Sequence, residues 1–114
     1  MISPTLDEFL KLTDQGNLIP VTTRILADIE TPLSAYRKIR GQGESFLFES
    51  VEGGAVRGRY SIIGLEPDII WRAFGSRAEI NRSPDKTPDT FKAEKLETLQ
   101  SLRQLLAESR ITLP

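Results

Sequence analysis

The sequence predicts an α+β fold: an antiparallel sheet with flanking helices, formed by one domain over residues 1–114. Three observations carry this. Short runs of β-branched and aromatic residues, such as Phe46 to Phe48 and Tyr60 to Leu65, are bounded by glycine and proline. Serine or threonine followed by proline opens two amphipathic segments, at Ser3-Pro4 and Thr31-Pro32. A leucine stripe, Leu96, Leu99, Leu102, Leu105 and Leu106, runs through the last segment at helical spacing.

Taken in order, the first element is a short helix with Leu6, Phe9 and Leu10 on its apolar side. Ser3 can cap it with Pro4 in the first turn, or a Thr5–Glu8 capping box can start it one turn later. Gly16 and Asn17 end it. Leu18 to Leu26 then reads as a strand, favoured by Val21, Thr22, Thr23 and Ile25, with Pro20 confining its start to an edge or bulge. A second helix begins at Thr31, shows Leu33, Tyr36 and Ile39 on one side, carries Arg37, Lys38 and Arg40 near its C-terminus, and stops at Gly41 and Gly43. Glu44 to Glu52 and Tyr60 to Leu65 form two strands around a turn at Gly53, Gly54 and Gly58. Ile69 to Phe74 and Ala78 to Ile80 form a hairpin about Gly75 and Ser76. Residues 81–90, with Pro84 and Pro88, are a surface loop, and Lys92 to Ser109 is the final helix, covering one sheet face.

Composition narrows the function. Apolar residues at 39% and charged residues at 27% suit a folded domain rather than a disordered chain. Fifteen basic and sixteen acidic residues nearly cancel, so there is no electrostatic footprint for nucleic acid. No apolar run is long enough to span a membrane, and the N-terminus lacks the basic and apolar regions of a secretory signal. A cytoplasmic setting is the default expectation. With no cysteine, disulfides and thiolate metal sites are excluded, and with no histidine the usual general base is missing. These absences weigh against a self-contained hydrolase or oxidoreductase.

The chemistry concentrates at Glu49. It follows Phe46, Leu47 and Phe48, so it sits where a strand leaves an apolar layer. Alternation sends Leu47, Glu49 and Val51 to one face and Phe48 and Ser50 to the other. Such an acid either sits at the sheet margin or is buried with a partner, for which Arg57 and Arg59 are the near candidates. Two roles remain open: an internal ion pair that fixes the hairpin, or a carboxylate aimed at a ligand's ammonium group. Ser50 has no visible base to make it a nucleophile. Tyr60 lies beside the glycine turn and can line a pocket, whereas Trp71 reads as core packing. No phosphate loop and no dinucleotide fingerprint occurs.

The segments SPTLDEFLKL, NLIPVTTRILAD, TPLSAYRKI and FLFESVEGGAVRGRYSIIGLEP, in this order, resemble the N-terminal region of the large subunit (component I) of anthranilate synthase. The resemblance covers nearly the whole chain. It is shared in part with aminodeoxychorismate synthase, which makes the folate precursor. It implies an anthranilate synthase component I-like fold whose chorismate-binding catalytic domain lies beyond residue 114. In that family, magnesium and the lyase chemistry belong to the catalytic domain, and a glutamine amidotransferase subunit supplies ammonia for making anthranilate and pyruvate. No catalytic residue of the family carries onto this chain, which is expected to hold no cofactor and to be inactive alone. The resemblance further implies a regulatory tryptophan pocket, in which Glu49 and Ser50 hold the amino group and nearby polar atoms. Tyr60 and Ser61 line that pocket, and Pro20 and Val21 contact the indole. The alternatives are the equivalent segment of aminodeoxychorismate synthase, or a free-standing small-molecule binding or interaction module. A sheet built to pack against a missing partner is also expected to self-associate.

Overall fold

A computed structural model describes residues 1–50 and 60–114. The glycine turn at Gly53, Gly54 and Gly58, together with Val51, Arg57 and Arg59, lies outside the described residues. The element order is β1 (Ile2–Ser3), α1 (Leu6–Leu12), β2 (Thr22–Thr23), α2 (Pro32–Ile39), β3 (Ser45–Glu49), β4 (Ser61–Leu65), β5 (Ile70–Phe74), β6 (Arg77–Asn81), β7 (Lys92–Ala93) and α3 (Thr98–Glu108). The fold is mixed α and β with antiparallel strand pairing, as the sequence predicts. The strands do not form the single expected sheet: β1 pairs with β2, β3 with β4, and β5-β6-β7 make a third sheet. Two units divide the chain. The first contains Met1–Leu26, Ala73–Ala78 and Glu94–Pro114, the second Ala27–Arg72 and Glu79–Ala93.

In the first unit, Thr5 and not Ser3 starts α1. The Thr5 hydroxyl accepts from the Glu8 amide at 3.3 Å, and the Glu8 carboxylate accepts from the Thr5 amide at 2.9 Å. Ser3 is instead taken up by β1, opposite Thr22, and the Ser3–Pro4 peptide is cis. The strand expected over Leu18 to Leu26 shrinks to Thr22–Thr23, because its partner β1 offers only two residues before Pro4. Leu18 makes a parallel bridge to Ile111 instead. The Asn17 side chain completes this junction, donating to the Glu108 carbonyl at 2.6 Å and accepting from the Arg110 amide at 2.7 Å. Gly16 is buried against Thr112 and the Arg110 carbonyl, where a methyl group would overlap both.

The final helix also differs from expectation. It begins at Thr98 rather than Lys92, since Lys92 and Ala93 pair with Ile80 and Glu79 as β7. The Glu94 amide continues that ladder to the Ala78 carbonyl at 2.9 Å. The helix propensity of Lys92 and Ala93 is thus overridden by strand pairing. The Thr98 hydroxyl ties the helix start to the Gly75 carbonyl at 2.6 Å. Leu102 and Leu105 are half-buried, while Leu99 and Leu106 stay about two-thirds exposed, at 66% and 65%.

In the second unit, Thr31 and Ser34 cap α2 reciprocally, and the Ser34 hydroxyl donates to Glu30 at 2.6 Å. Lys38, one turn beyond Ser34, forms an ion pair with the same carboxylate. Gly41 takes the left-handed conformation, φ 62°, just past the helix end. The Tyr36 hydroxyl meets the Ser45 hydroxyl at 2.7 Å and joins α2 to β3. Buried Asn81 organises the loop that follows β6: it donates to the Thr87 carbonyl at 2.6 Å and accepts from the Ser83 amide at 2.9 Å. Arg72 bonds Glu79 and lies 3.6 Å over the Phe91 ring, pinning that ring across the sheet. Among the described residues, the buried apolar core is small, Ala78 and Ile80, and neither α1 nor α2 buries a residue.

Candidate functional site

The β3–β4 pair carries two of the six candidate residues, Glu49 and Ser61, and two more, Ser50 and Tyr60, adjoin its end. Its register places Ser45 opposite Leu65, Leu47 opposite Ile63 and Glu49 opposite Ser61. One step further, the Ser50 amide donates to the Tyr60 carbonyl at 3.1 Å. Hydrogen-bonded and non-hydrogen-bonded pairs alternate along an antiparallel ladder, so Glu49 and Ser61 form a non-hydrogen-bonded pair. In such pairs the Cα atoms approach to about 4.5 Å and the side chains lie close together.

Alternation then sorts the four residues. Glu49 and Ser61 share a face with Ser45, Leu47 and Ile63, the face that Tyr36 of α2 reaches at its far end. Ser50 and Tyr60 share the other face with Phe46, Phe48 and Ile62. The acid and the hydroxyl that adjoin in sequence thus stand on opposite sides of the ribbon, and each is matched across the ladder by a hydroxyl-bearing residue, Ser61 or Tyr60.

Of the two settings considered for Glu49, the structure places it at the margin. Its side chain is exposed, and among the described residues no ion pair or hydrogen bond engages its carboxylate. The expected pairing with Arg57 or Arg59 falls on residues that are not described. Tyr60 is 71% exposed and Ile62 58%. Pro20 and Val21 lie in the other unit, between the Leu18–Ile111 bridge and β2, with Pro20 half-buried and Val21 mostly exposed. Trp71 is half-buried on β5, in keeping with a packing role.

An open cleft of about 1180 Å³ lies elsewhere in the second unit and includes none of the six candidates. Its walls mix Arg40 and Arg82 with Glu44, Glu66, Asp68 and Asp85, with no converging set for one ligand. Among the described residues, no group of three or more histidine, cysteine or carboxylate side chains could hold a metal ion. No described helix is long and apolar enough to cross a membrane.

Sequence reasoning missed the features that hold this ribbon. They are the Tyr36–Ser45 hydroxyl contact and the seating of the Phe46 ring over Gly64, its cross-strand partner. The second had a signal: an isolated glycine inside a strand marks a close approach.

Comparison with known proteins places these observations in context. No family model matches the chain, and no solved structure matches it. Curated proteins do. The chain is 41% identical over 95 residues to an anthranilate synthase component 1 of Cereibacter sphaeroides, covering 82% of this chain and 19% of that protein. It is 42% identical over 100 residues to one of Synechocystis, covering 87% and 20% respectively. With one of Pseudomonas putida the figures are 47% over 75 residues, 65% and 15%. The chain spans about a fifth of the length of the first two. Sequence similarity across most of its length thus links this chain to the anthranilate synthase component 1 family.

Proposed function

We propose that this chain is the N-terminal regulatory segment of an anthranilate synthase component 1 and that its Glu49 end recognises tryptophan as a feedback inhibitor. The complete enzyme converts chorismate and glutamine to anthranilate, pyruvate and glutamate. It does so with a chorismate-binding domain, which holds magnesium, and a glutamine amidotransferase subunit. This segment is not catalytic alone. Support comes from the relatives named above and from one geometric observation: Glu49, whose carboxylate engages no described residue, stands exposed opposite Ser61 in a non-hydrogen-bonded cross-strand pair. A carboxylate beside a hydroxyl suits an ammonium group, which donates three hydrogen bonds. Ser50 and Tyr60 form the next pair of the same ladder, on the ribbon's other face. That all the relatives named are anthranilate synthases favours this function over aminodeoxychorismate synthesis.

Magnitudes set what the segment does by itself. An exposed ion pair contributes about 0–1 kcal/mol. Burying an indole of about 150–250 Å² contributes roughly 4–6 kcal/mol before ordering costs. Affinity therefore depends on a cover over the indole, and the isolated chain binds tryptophan weakly or not at all. In the intact enzyme, Glu49→Ala and Ser50→Phe are expected to weaken tryptophan inhibition more than turnover. Chorismate consumption with and without tryptophan measures this, and inhibition equal to the native enzyme's in both variants would refute the assignment.

A further inference from the structure

We infer that Gly64 is a positioning residue for the effector end of the ribbon: by seating the Phe46 ring it sets the strand register that brings Glu49 opposite Ser61. The inference rests on the regulatory reading of Glu49 given above.

A two-stranded ribbon has a register problem. Side chains alternate with a period of two, so a slip by one residue turns every side chain of a strand to the other face. Burial of one face normally prevents this. Here Phe46, Phe48 and Ile62 are 42%, 64% and 58% exposed on one face, and Leu47 and Ile63 are only half-buried on the other. Burial alone therefore discriminates weakly between registers.

Among the described residues, two specific contacts discriminate instead, both at the end of the ribbon away from Glu49. On one face the Phe46 ring lies across Gly64, directly opposite it in the ladder, and a side chain at position 64 would overlap the ring. A slipped register would bring Ile63 or Leu65 into that place. Seated there, the ring also lies 4.5 Å from the Phe48 ring, an aromatic pair that runs along β3 toward Glu49. On the other face the Ser45 hydroxyl is held by Tyr36 of α2 at 2.7 Å. β3 is thus fixed from both sides at Ser45 and Phe46, three to four positions before Glu49. The cross-strand partner of the acid follows from that fixed point. In the native register Glu49 meets a small hydroxyl, Ser61, whereas a slip by one residue opposes it to Tyr60 or Ile62.

The test uses the intact enzyme and isothermal titration with tryptophan. Gly64→Ala displaces the ring, and Phe46→Leu removes it without overlap and keeps an apolar side chain. Both are expected to weaken tryptophan binding, about tenfold for Gly64→Ala and about threefold for Phe46→Leu, while turnover without tryptophan stays within about twofold. Asn81→Ala, in the same unit but outside the ribbon, serves as the control for general destabilisation. It is expected to lower the melting temperature yet leave tryptophan affinity within about twofold. Native affinity in Gly64→Ala or Phe46→Leu would overturn the inference, as would an equal loss in Asn81→Ala. Glu49→Ala separates the two levels. If it leaves affinity intact, the effector site itself is misplaced. If it abolishes binding while Gly64→Ala does not weaken it, only the register role fails.

Discussion

Asn17 offers a direct test of what holds the first unit together. Its side-chain amide spans two backbone groups at the exit of α3, donating to the Glu108 carbonyl at 2.6 Å and accepting from the Arg110 amide at 2.7 Å. Replacing it with alanine removes both bonds. A net hydrogen bond contributes about 0.5–1.5 kcal/mol, and the site is exposed enough for water to replace part of the loss, so about 1–2 kcal/mol of destabilisation is expected. For a chain of this size that corresponds to a fall in melting temperature of roughly 4–8 °C. Asn17→Asp sharpens the test. It keeps the acceptor for Arg110 but loses the donor to Glu108 and sets a negative charge beside the carbonyl end of a helix, where charge of that sign is disfavoured. It should therefore destabilise at least as much as alanine, although it keeps the shape of the native residue. Thermal unfolding followed by circular dichroism measures both variants. Hydrogen exchange at the Thr112 amide, which donates to the Leu18 carbonyl at 3.0 Å, localises the effect. An Asn17→Ala variant that melts with the native chain, or an aspartate variant more stable than the alanine one, would refute the proposed clamp.

Three other outcomes follow from the geometry. Glu66 holds a left-handed backbone, φ 49°, before Pro67; Glu66→Gly should relieve about 0.5–1 kcal/mol of net strain in thermal unfolding, and destabilisation of that size would contradict it. The Glu30 carboxyl is held below its ordinary pKa of 4.5, first by the Lys38 bond and then by the Ser34 hydroxyl. Its stabilisation is therefore fully present above pH 4.5 and is lost as pH falls through the lower folded value. Glu30→Gln should flatten stability against pH in that acid range, and an unchanged pH profile would count against the contact. The isolated chain is expected to self-associate through its uncovered apolar surface, and Phe48→Lys, at a side chain 64% exposed, should lower the apparent mass in light scattering; a native chain that stays monomeric at high concentration would contradict this.

Local chemistry was the most legible part of the sequence. The Thr31-Pro32 helix start, the Gly41 stop, the β5–β6 hairpin about Gly75 and the β3 and β4 strands all follow from turn and cap residues acting on their immediate neighbours. What depended on distant partners was not legible. Lys92 and Ala93 become a strand because Glu79 and Ile80 are there to pair with them, a fact that the local pattern does not encode. Residues on either side of Thr22–Thr23 are not strand because β1, the partner of that segment, offers only Ile2 and Ser3 before Pro4. At the candidate site, sequence identified Glu49 and Ser50 and their opposite faces by alternation. Pairing Glu49 with Ser61 needed the register, and the register depends on Gly64 and Tyr36, whose contacts cross between elements.

The most direct measurement is calorimetric titration of tryptophan into the intact enzyme, native and Glu49→Ala. Loss of one partner from a desolvated charge pair costs about 2–5 kcal/mol, so saturable binding to the native protein should weaken about thirtyfold or more in the variant. Equal dissociation constants for the two proteins would contradict the assignment of this carboxylate to the effector's ammonium group.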